Sequence, residues 1–297
     1  MKKLCLFTIA IIACMQVAAQ LKPEYMQQQS TQQRQAAQQQ SNRELSHIEK
    51  FVKAFRSNDM AKSEQILKEW NQADSNDPEL YVAYFNFFTV KSLEKDSVKP
   101  DMQYARKALE YIGEGIRRFP TRFDMRVVEI VMHSRIKEFE PFTKKVIDLI
   151  EFSKKINCQW KGEAFRLIEY PDEVFSGAVH DFQGTLFAAN DTALFKNIVR
   201  ISEVMHKNFP NNHECLLNLS TVYYERKQYD KSIETLLQAD KVKPNNSILQ
   251  YNLAWIYAKK GDRDNARRYY ELTVRNATDQ EAKLKEAAQK QLDELKK

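Results

Sequence analysis

Residues 213–246 read HECLLNLSTVYYERKQYDKSIETLLQADKVKPNN, and residues 247–280 read SILQYNLAWIYAKKGDRDNARRYYELTVRNATDQ. Each stretch is 34 residues long, and Pro210 and Pro244 are also 34 residues apart. One period carries Leu219, Ser220, Tyr223, Ser232 and Leu236 onto Leu253, Ala254, Tyr257, Ala266 and Tyr270. The spacing predicts two helices per stretch. Small residues at Ser220, Ser232, Ala254 and Ala266 let the two helices of a hairpin approach closely. Leu219, Tyr223, Leu253 and Tyr257 fill the space to a neighbouring helix. Gly261 suits the left-handed backbone that ends a helix. Pro244 lacks the N–H that would continue one. Neither hairpin can bury its own apolar stripe, so the pattern demands stacking.

These positions resemble the tetratricopeptide family residue by residue: Leu216, Leu219, Ser220 and Tyr223 in the first helix, Ser232, Leu236, Ala239 and Pro244 in the second. The next unit departs at its end, where Thr273 replaces the usual alanine and Thr278 the closing proline. The resemblance implies an all-α, helical-hairpin repeat solenoid whose first helices line a concave groove that holds a protein or peptide partner. Carried over, the groove positions are Leu217, Thr221 and Tyr224, then Tyr251, Trp255, Ala258 and Lys259. One unit back the same register adds Gln183, Phe187 and Asn190. The lysine–asparagine clamp with which some members grip a C-terminal carboxylate is not reproduced, which points to an apolar or aromatic-rich ligand surface. A competing reading stands beside this one. Aromatics at helical spacing are commonly core, and the polar C-terminal helix could cover Tyr251 or Trp255.

Outward from this pair the signature weakens but the helical period persists. Residues 279–297 are polar, with Leu284, Ala287, Ala288 and Leu292 on one face, as expected of a solvating cap. Upstream, helical pairs are expected at 80–93 with 104–119, 123–139 with 142–156, and 174–189 with 193–208. The stretch 157–171 is irregular and reads as an insertion. Leu45, Ile48, Phe51, Val52 and Phe55 share one face of an earlier helix, followed by another through Ile66, Leu67 and Trp70. The division is therefore a signal at 1–19, a linker at 20–43, degenerate helical pairs at 44–210, and repeats with their cap at 211–297.

The N-terminus reads as an export signal: Lys2 and Lys3, an apolar run, then small residues before Gln20. Residues 20–43 contain QQQSTQQRQAAQQQ, which holds too little aliphatic surface to repay ordering and reads as a flexible spacer. Two destinations stay open. One is soluble export to the periplasm or medium. The other is an outer-membrane lipoprotein, because Ile11-Ile12-Ala13-Cys14 resembles a lipobox with Cys14 acylated. After cleavage only Cys158 and Cys215 remain, without a CxxC, and the reading is two separate buried thiols rather than a bond.

Six glycines among 297 residues argue against a β fold rich in tight turns and against phosphate-cradling loops. The net charge of +6 is spread in mixed sign along the helices, without the dense basic block of a nucleic-acid binder. The five histidines offer no HExxH and no i, i+4 pair, so no metal or other cofactor is expected. Gly113-Glu114-Gly115 lies within a helical run and reads as a close-packing or weak helix position. Glu169, Asp172 and Glu173 read as a solvated turn. The leading function is a non-catalytic exported scaffold. The alternatives are a carbohydrate- or small-ligand-binding repeat protein, and an enzyme with its site in 157–178.

Overall fold

Short polar side chains set where the helices begin. Asp59, Asp77, Asp101, Asn212, Asn246 and Asp262 each accept a hydrogen bond from a backbone N–H in the first turn that follows. Each bond satisfies a donor that the helix itself cannot pair. The computed structural model describes residues 45–94, 99–163 and 166–295. Over these it forms α1 (His47–Arg56), α2 (Met60–Ala73), α3 (Pro78–Leu93), α4 (Met102–Arg118), α5 (Phe123–Arg135), α6 (Phe139–Lys155), α7 (Pro171–Ala188), α8 (Phe195–Asn208), α9 (His213–Glu225), α10 (Tyr229–Val242), α11 (Ser247–Lys260), α12 (Arg263–Asn276) and α13 (Ala282–Leu295). No strand occurs among the described residues, and the chain folds as an all-α helical repeat solenoid. The signal at 1–19, Cys14 and the linker at 20–43 lie outside the described residues.

The chain divides into two units, residues 1–50 and 51–297. In the first, the Ser46 amide and hydroxyl both donate to Glu49 Oε2 at 2.8 Å, closing the first turn of α1. The second holds the helical hairpins. Here α3 packs closely on α4, α9 on α10 and α11 on α12, while successive hairpins meet through α4 on α5, α8 on α9 and α10 on α11. Short connections make the helices of a hairpin antiparallel. The core follows the hairpins as a series of apolar clusters, each shared by neighbouring helices, as nearest-neighbour stacking requires.

Small residues lie where the repeat pattern needs them. Ala254 and Ala266 are fully buried, and the Ser232 hydroxyl donates to the Ser220 carbonyl at 2.7 Å between α10 and α9. Gly261 ends α11 at φ 88°. Gly115 of α4 is a close-packing position: a Cβ there would lie 2.8 Å from Tyr81 Cβ of α3. Thr278, which replaces the closing proline, forms a capping box with Glu281 instead, and Ser247 Oγ donates to Glu281 Oε1 at 2.7 Å. Beyond that box α13 buries only Ala288 and Leu292. It covers one end of the stack with a polar outer face.

Within the irregular segment, residues 157–163 form a strut. Lys161 donates its amide to the Thr121 carbonyl at 2.9 Å and accepts from the Phe123 amide at 3.0 Å. Trp160 is buried against Phe123 and Phe152, with the Arg126 guanidinium over its ring. The Trp160 Nε1–H donates to Ser153 Oγ at 3.2 Å. Beside it, Arg122 is fully buried between Glu79 and Asp124, at 2.7 Å from each. Across this insertion the stacking order shifts, and α8 rather than α7 makes the main contact with α6.

The turn between α5 and α6 lies earlier than expected. α5 stops at Arg135 rather than near 139, because Lys137 takes a left-handed turn (φ 59°) and the Glu138 amide bonds back to the His133 carbonyl. No glycine or proline marks that turn. α6 accordingly starts at Phe139, with Pro141 inside its first turn, where the missing N–H costs little.

Candidate binding groove

The first helices of the two C-terminal hairpins, α9 and α11, place their predicted groove residues toward one surface. A helix repeats every 3.6 residues, so Leu217, Thr221 and Tyr224 share a stripe on α9, and Tyr251, Trp255 and Lys259 share one on α11. Thr221 and Lys259 are exposed; Leu217, Tyr224, Tyr251 and Trp255 are half-buried. Leu217, Tyr224, Tyr251 and Trp255 pack against the core with one side, and the buried positions alternate with the six: Leu216, Leu219, Val222, Leu253, Ala254 and Ile256.

The two stripes touch. The Trp255 Nε1–H donates to the Tyr224 hydroxyl at 3.3 Å. The Lys259 ammonium lies 4.8 Å from the Trp255 ring centroid, within the reach of a cation–π attraction. Among the described residues Lys259 has no carboxylate partner, whereas its neighbour Lys260 pairs with Asp230. Tyr251 is braced from behind by the edge of buried Tyr270, at 5.6 Å between centroids. Thr221 donates its hydroxyl to the Leu217 carbonyl at 3.1 Å and keeps its methyl for contact.

The unit upstream contributes differently from the carried-over register. Phe187 is half-buried, and its ring meets Phe195 of the following helix rather than the aromatics of α9 and α11. Asn190 is exposed beyond the end of α7 in a left-handed conformation. Gln183, expected in the groove, is fully buried. It donates to Ser202 Oγ at 2.6 Å and to the Ile198 carbonyl of α8, and accepts from Asn218 Nδ2 of α9 at 2.9 Å. The junction between α7 and its neighbours demands that amide, because α7 packs less closely on α8 than the first helix of either C-terminal hairpin packs on its second. One residue escaped the sequence reading. Ile248 is 46% exposed and lies three residues before Tyr251 and seven before Trp255, on the same stripe of α11. Its spacing was the available signal.

Titratable groups elsewhere are engaged in structure. His133 Nδ1 meets Glu138 Oε2 at 3.1 Å, and Glu138 also binds Arg106, whose guanidinium holds that carboxyl below its usual range. Lys145 pairs with buried Glu129 at 2.7 Å. Glu169, Asp172 and Glu173 are exposed. Cys158 and Cys215 are both buried and unbonded to each other. Burial, with help from Asp172, pushes the Cys158 thiol up to about 12, and burial pushes the Cys215 thiol higher still. No group of three or more histidines, cysteines or carboxylates converges on a metal-sized space among the described residues.

Residues 221–261 match a family model described as TPR repeat, and residues 249–275 match one described as tetratricopeptide repeat. Residues 221–275 carry tetratricopeptide repeats. The matched residues include Thr221, Tyr224, Tyr251, Trp255 and Lys259 of the candidate groove. Similar solved structures include YrrB, described as a TPR protein with an unusual peptide-binding site, at 12% identity over 75% of this chain and 97% of that one (TM-score 0.41). A second is the C-terminal part of a TPR repeat-containing protein from Cytophaga hutchinsonii, at 12% identity over 76% and 77% (TM-score 0.43). A third is MamA from Desulfovibrio magneticus RS-1, at 14% identity over 66% and 94% (TM-score 0.37). Comparison with curated proteins gave no significant match. Within the tetratricopeptide frame, α9 and α11 are the first helices of two successive repeats, and the Trp255–Tyr224 bond joins them.

Proposed function

We propose that this tetratricopeptide protein is an exported, non-catalytic scaffold that holds a protein or peptide partner on the surface formed by Leu217, Thr221, Tyr224, Tyr251, Trp255 and Lys259, with Phe187 at its upstream edge. The observation that carries the reading is the partial exposure of a connected aromatic surface at these positions. Ile248, Tyr251 and Trp255 run along about two turns of α11 beside Tyr224 of α9. Rigid helices present it preordered, which lowers the entropy lost on binding. Aromatics that are half-buried at rest give up little rotamer freedom when a partner covers them. Lys259 already lies over the Trp255 ring, so a stacked sugar would compete with it for the indole, and a peptide with mixed apolar and polar groups fits the surface better.

The test uses the mature protein to capture partners from envelope extract, with Trp255→Ala and Tyr251→Ala beside the parent and Lys155→Ala, remote on α6, as control. Selective capture by the parent and the control, lost in the two groove variants while all four melt as folded proteins, supports the reading. Equal capture by all four contradicts it. Export is tested on the native protein by mass spectrometry. A new N-terminus at Gln20 supports soluble export, an acylated Cys14 supports membrane anchoring, and an intact Met1 contradicts both.

A further inference from the structure

The polar contacts that join α7 to α8 and α9 have a forced direction. Gln183 Nε2 lies 3.3 Å from the Ile198 carbonyl, a group that only accepts, so this end of the amide must be the NH₂. Its Oε1 therefore faces α9 and accepts from Asn218 Nδ2 at 2.9 Å. The same Asn218 NH₂ lies 3.1 Å from His180 Nδ1, so it donates there too. His180 Nδ1 must then carry a lone pair, which makes the ring neutral with its proton on Nε2.

We propose that His180, Asn218 and Gln183 form an acid-sensitive latch between the helices α7 and α9, released when His180 takes up a proton at Nδ1. Protonation puts an N–H against the Asn218 NH₂, two donors facing each other. Asn218 cannot turn over to accept, because its oxygen would then face Gln183 Oε1. Gln183 cannot turn in response, because its oxygen would face the Ile198 carbonyl. Every rearrangement leaves a polar contact unmade, either at half-buried His180 or at buried Asn218 and Gln183, and the loss is costlier the further it is passed inward.

His213 of α9 interacts electrostatically with His180 across the same junction. Burial, then Lys243 beyond α10, holds His213 below the ordinary histidine value, with Glu214 of α9 working the other way. From α6 and α8, the other helices packed on α7, no ion pair reaches His180 among the described residues. Phe187 lies one turn beyond Gln183 on α7, and Leu217 and Asn218 are adjacent on α9. Release therefore frees the upstream edge of the groove to move against Leu217, Thr221 and Tyr224. Only this last consequence rests on the binding proposal; the latch itself does not.

The folded chain with labelled histidines tests it. The ¹⁵N spectrum at neutral pH is expected to show His180 as the Nε2–H tautomer, and a neutral Nδ1–H ring overturns the proposal. Backbone hydrogen exchange in α7 and α9, corrected for intrinsic rates, is then followed between about pH 8 and 5, where histidines titrate. Exchange is expected to rise about tenfold at the acid end, the scale of one buried hydrogen bond. His180→Gln supplies a permanent acceptor and should flatten the rise; Asn218→Leu removes the donor and should also flatten it. His213→Gln should keep most of it, losing only the share that His213 itself contributes. A rise of equal size in His180→Gln overturns the latch. Partner capture is not part of this readout, so failure of the groove reading and failure of the latch are distinguishable.

Discussion

The Trp255 indole donates to the Tyr224 hydroxyl across 3.3 Å, from the first helix of one repeat to the first helix of the repeat before it. Tyr224 is half-buried and also meets the Tyr229 ring at 5.8 Å, so its phenol is held by packing as well as by the bond. Tyr224→Phe keeps the ring and removes the acceptor. It should lower stability by about 0.5–1.5 kcal/mol, measured by urea denaturation. An unchanged midpoint would mean that the bond is not formed in solution.

The two glycines of Gly113-Glu114-Gly115 should respond with opposite sign. A Cβ at Gly115 would lie 2.8 Å from Tyr81 Cβ, whereas at Gly113 the nearest atom is Glu129 Oε1 at 3.9 Å. Gly115→Ala should destabilise by ~1–3 kcal/mol through overpacking. Gly113→Ala should stabilise by about 0.5–1 kcal/mol, because alanine loses less backbone entropy in a helix. Calorimetric melts of the two variants check the pair, and equal shifts in the same direction would contradict the close contact of α3 and α4. Ala266→Trp, also at a fully buried interhelical position, should destabilise like Gly115→Ala.

Arg122 is fully buried between Glu79 and Asp124, whose hydrogen bonds keep its guanidinium charged against the effect of burial. Arg122→Ala leaves two carboxylates partly buried without their cation, a change that typically costs ~3–5 kcal/mol. Arg122→Met, of similar length, shares that loss of charge but fills the space, and should be the milder of the two. Chemical denaturation of both variants decides the order.

Acid should weaken the fold through His213. Its pKa in the folded chain is lowered from 6.5, chiefly by burial and then by Lys243. The unfolded chain thus binds the proton more readily, so this contribution is complete above the ordinary histidine value and is lost as pH falls through the folded value. Urea midpoints should fall between neutral pH and about pH 5, with a smaller fall in His213→Gln. The buried thiols give a second solution check. Cys158 and Cys215 should resist a thiol reagent in the native protein and react in denaturant, and rapid native labelling would contradict their burial.

The repeat was legible because its signature is local. The 34-residue period, the small residues at 220, 232, 254 and 266, and Gly261 each act within one hairpin, and the structure uses all of them there. The α11 stripe was legible for the same reason, except that Ile248 was left out of it. Gln183 was misplaced because its role depends on how α7 meets α8 and α9 across the insertion, a relation between distant segments. Sequence spacing alone puts residue 183 toward the groove; the polar partners Ser202, Ile198 and Asn218 draw it inside. The turn at Lys137 carried no glycine or asparagine to announce it. The strut at 157–163 could be read only as irregular, since its pairing with Thr121 and Phe123 spans some forty residues of chain.

Trp255→Ala tests the groove most directly, because stability and binding move apart under it. Trp255 is half-buried, so truncation should cost less stability than the ~3–5 kcal/mol typical of a buried aromatic. As an interface anchor, the same truncation should cost ~2 kcal/mol or more in binding. Melting and partner capture are measured on one preparation of the variant. The account predicts a folded protein with a modestly lowered melting temperature that no longer captures the partner held by the parent. A variant that melts similarly and captures that partner as well as the parent does would contradict it.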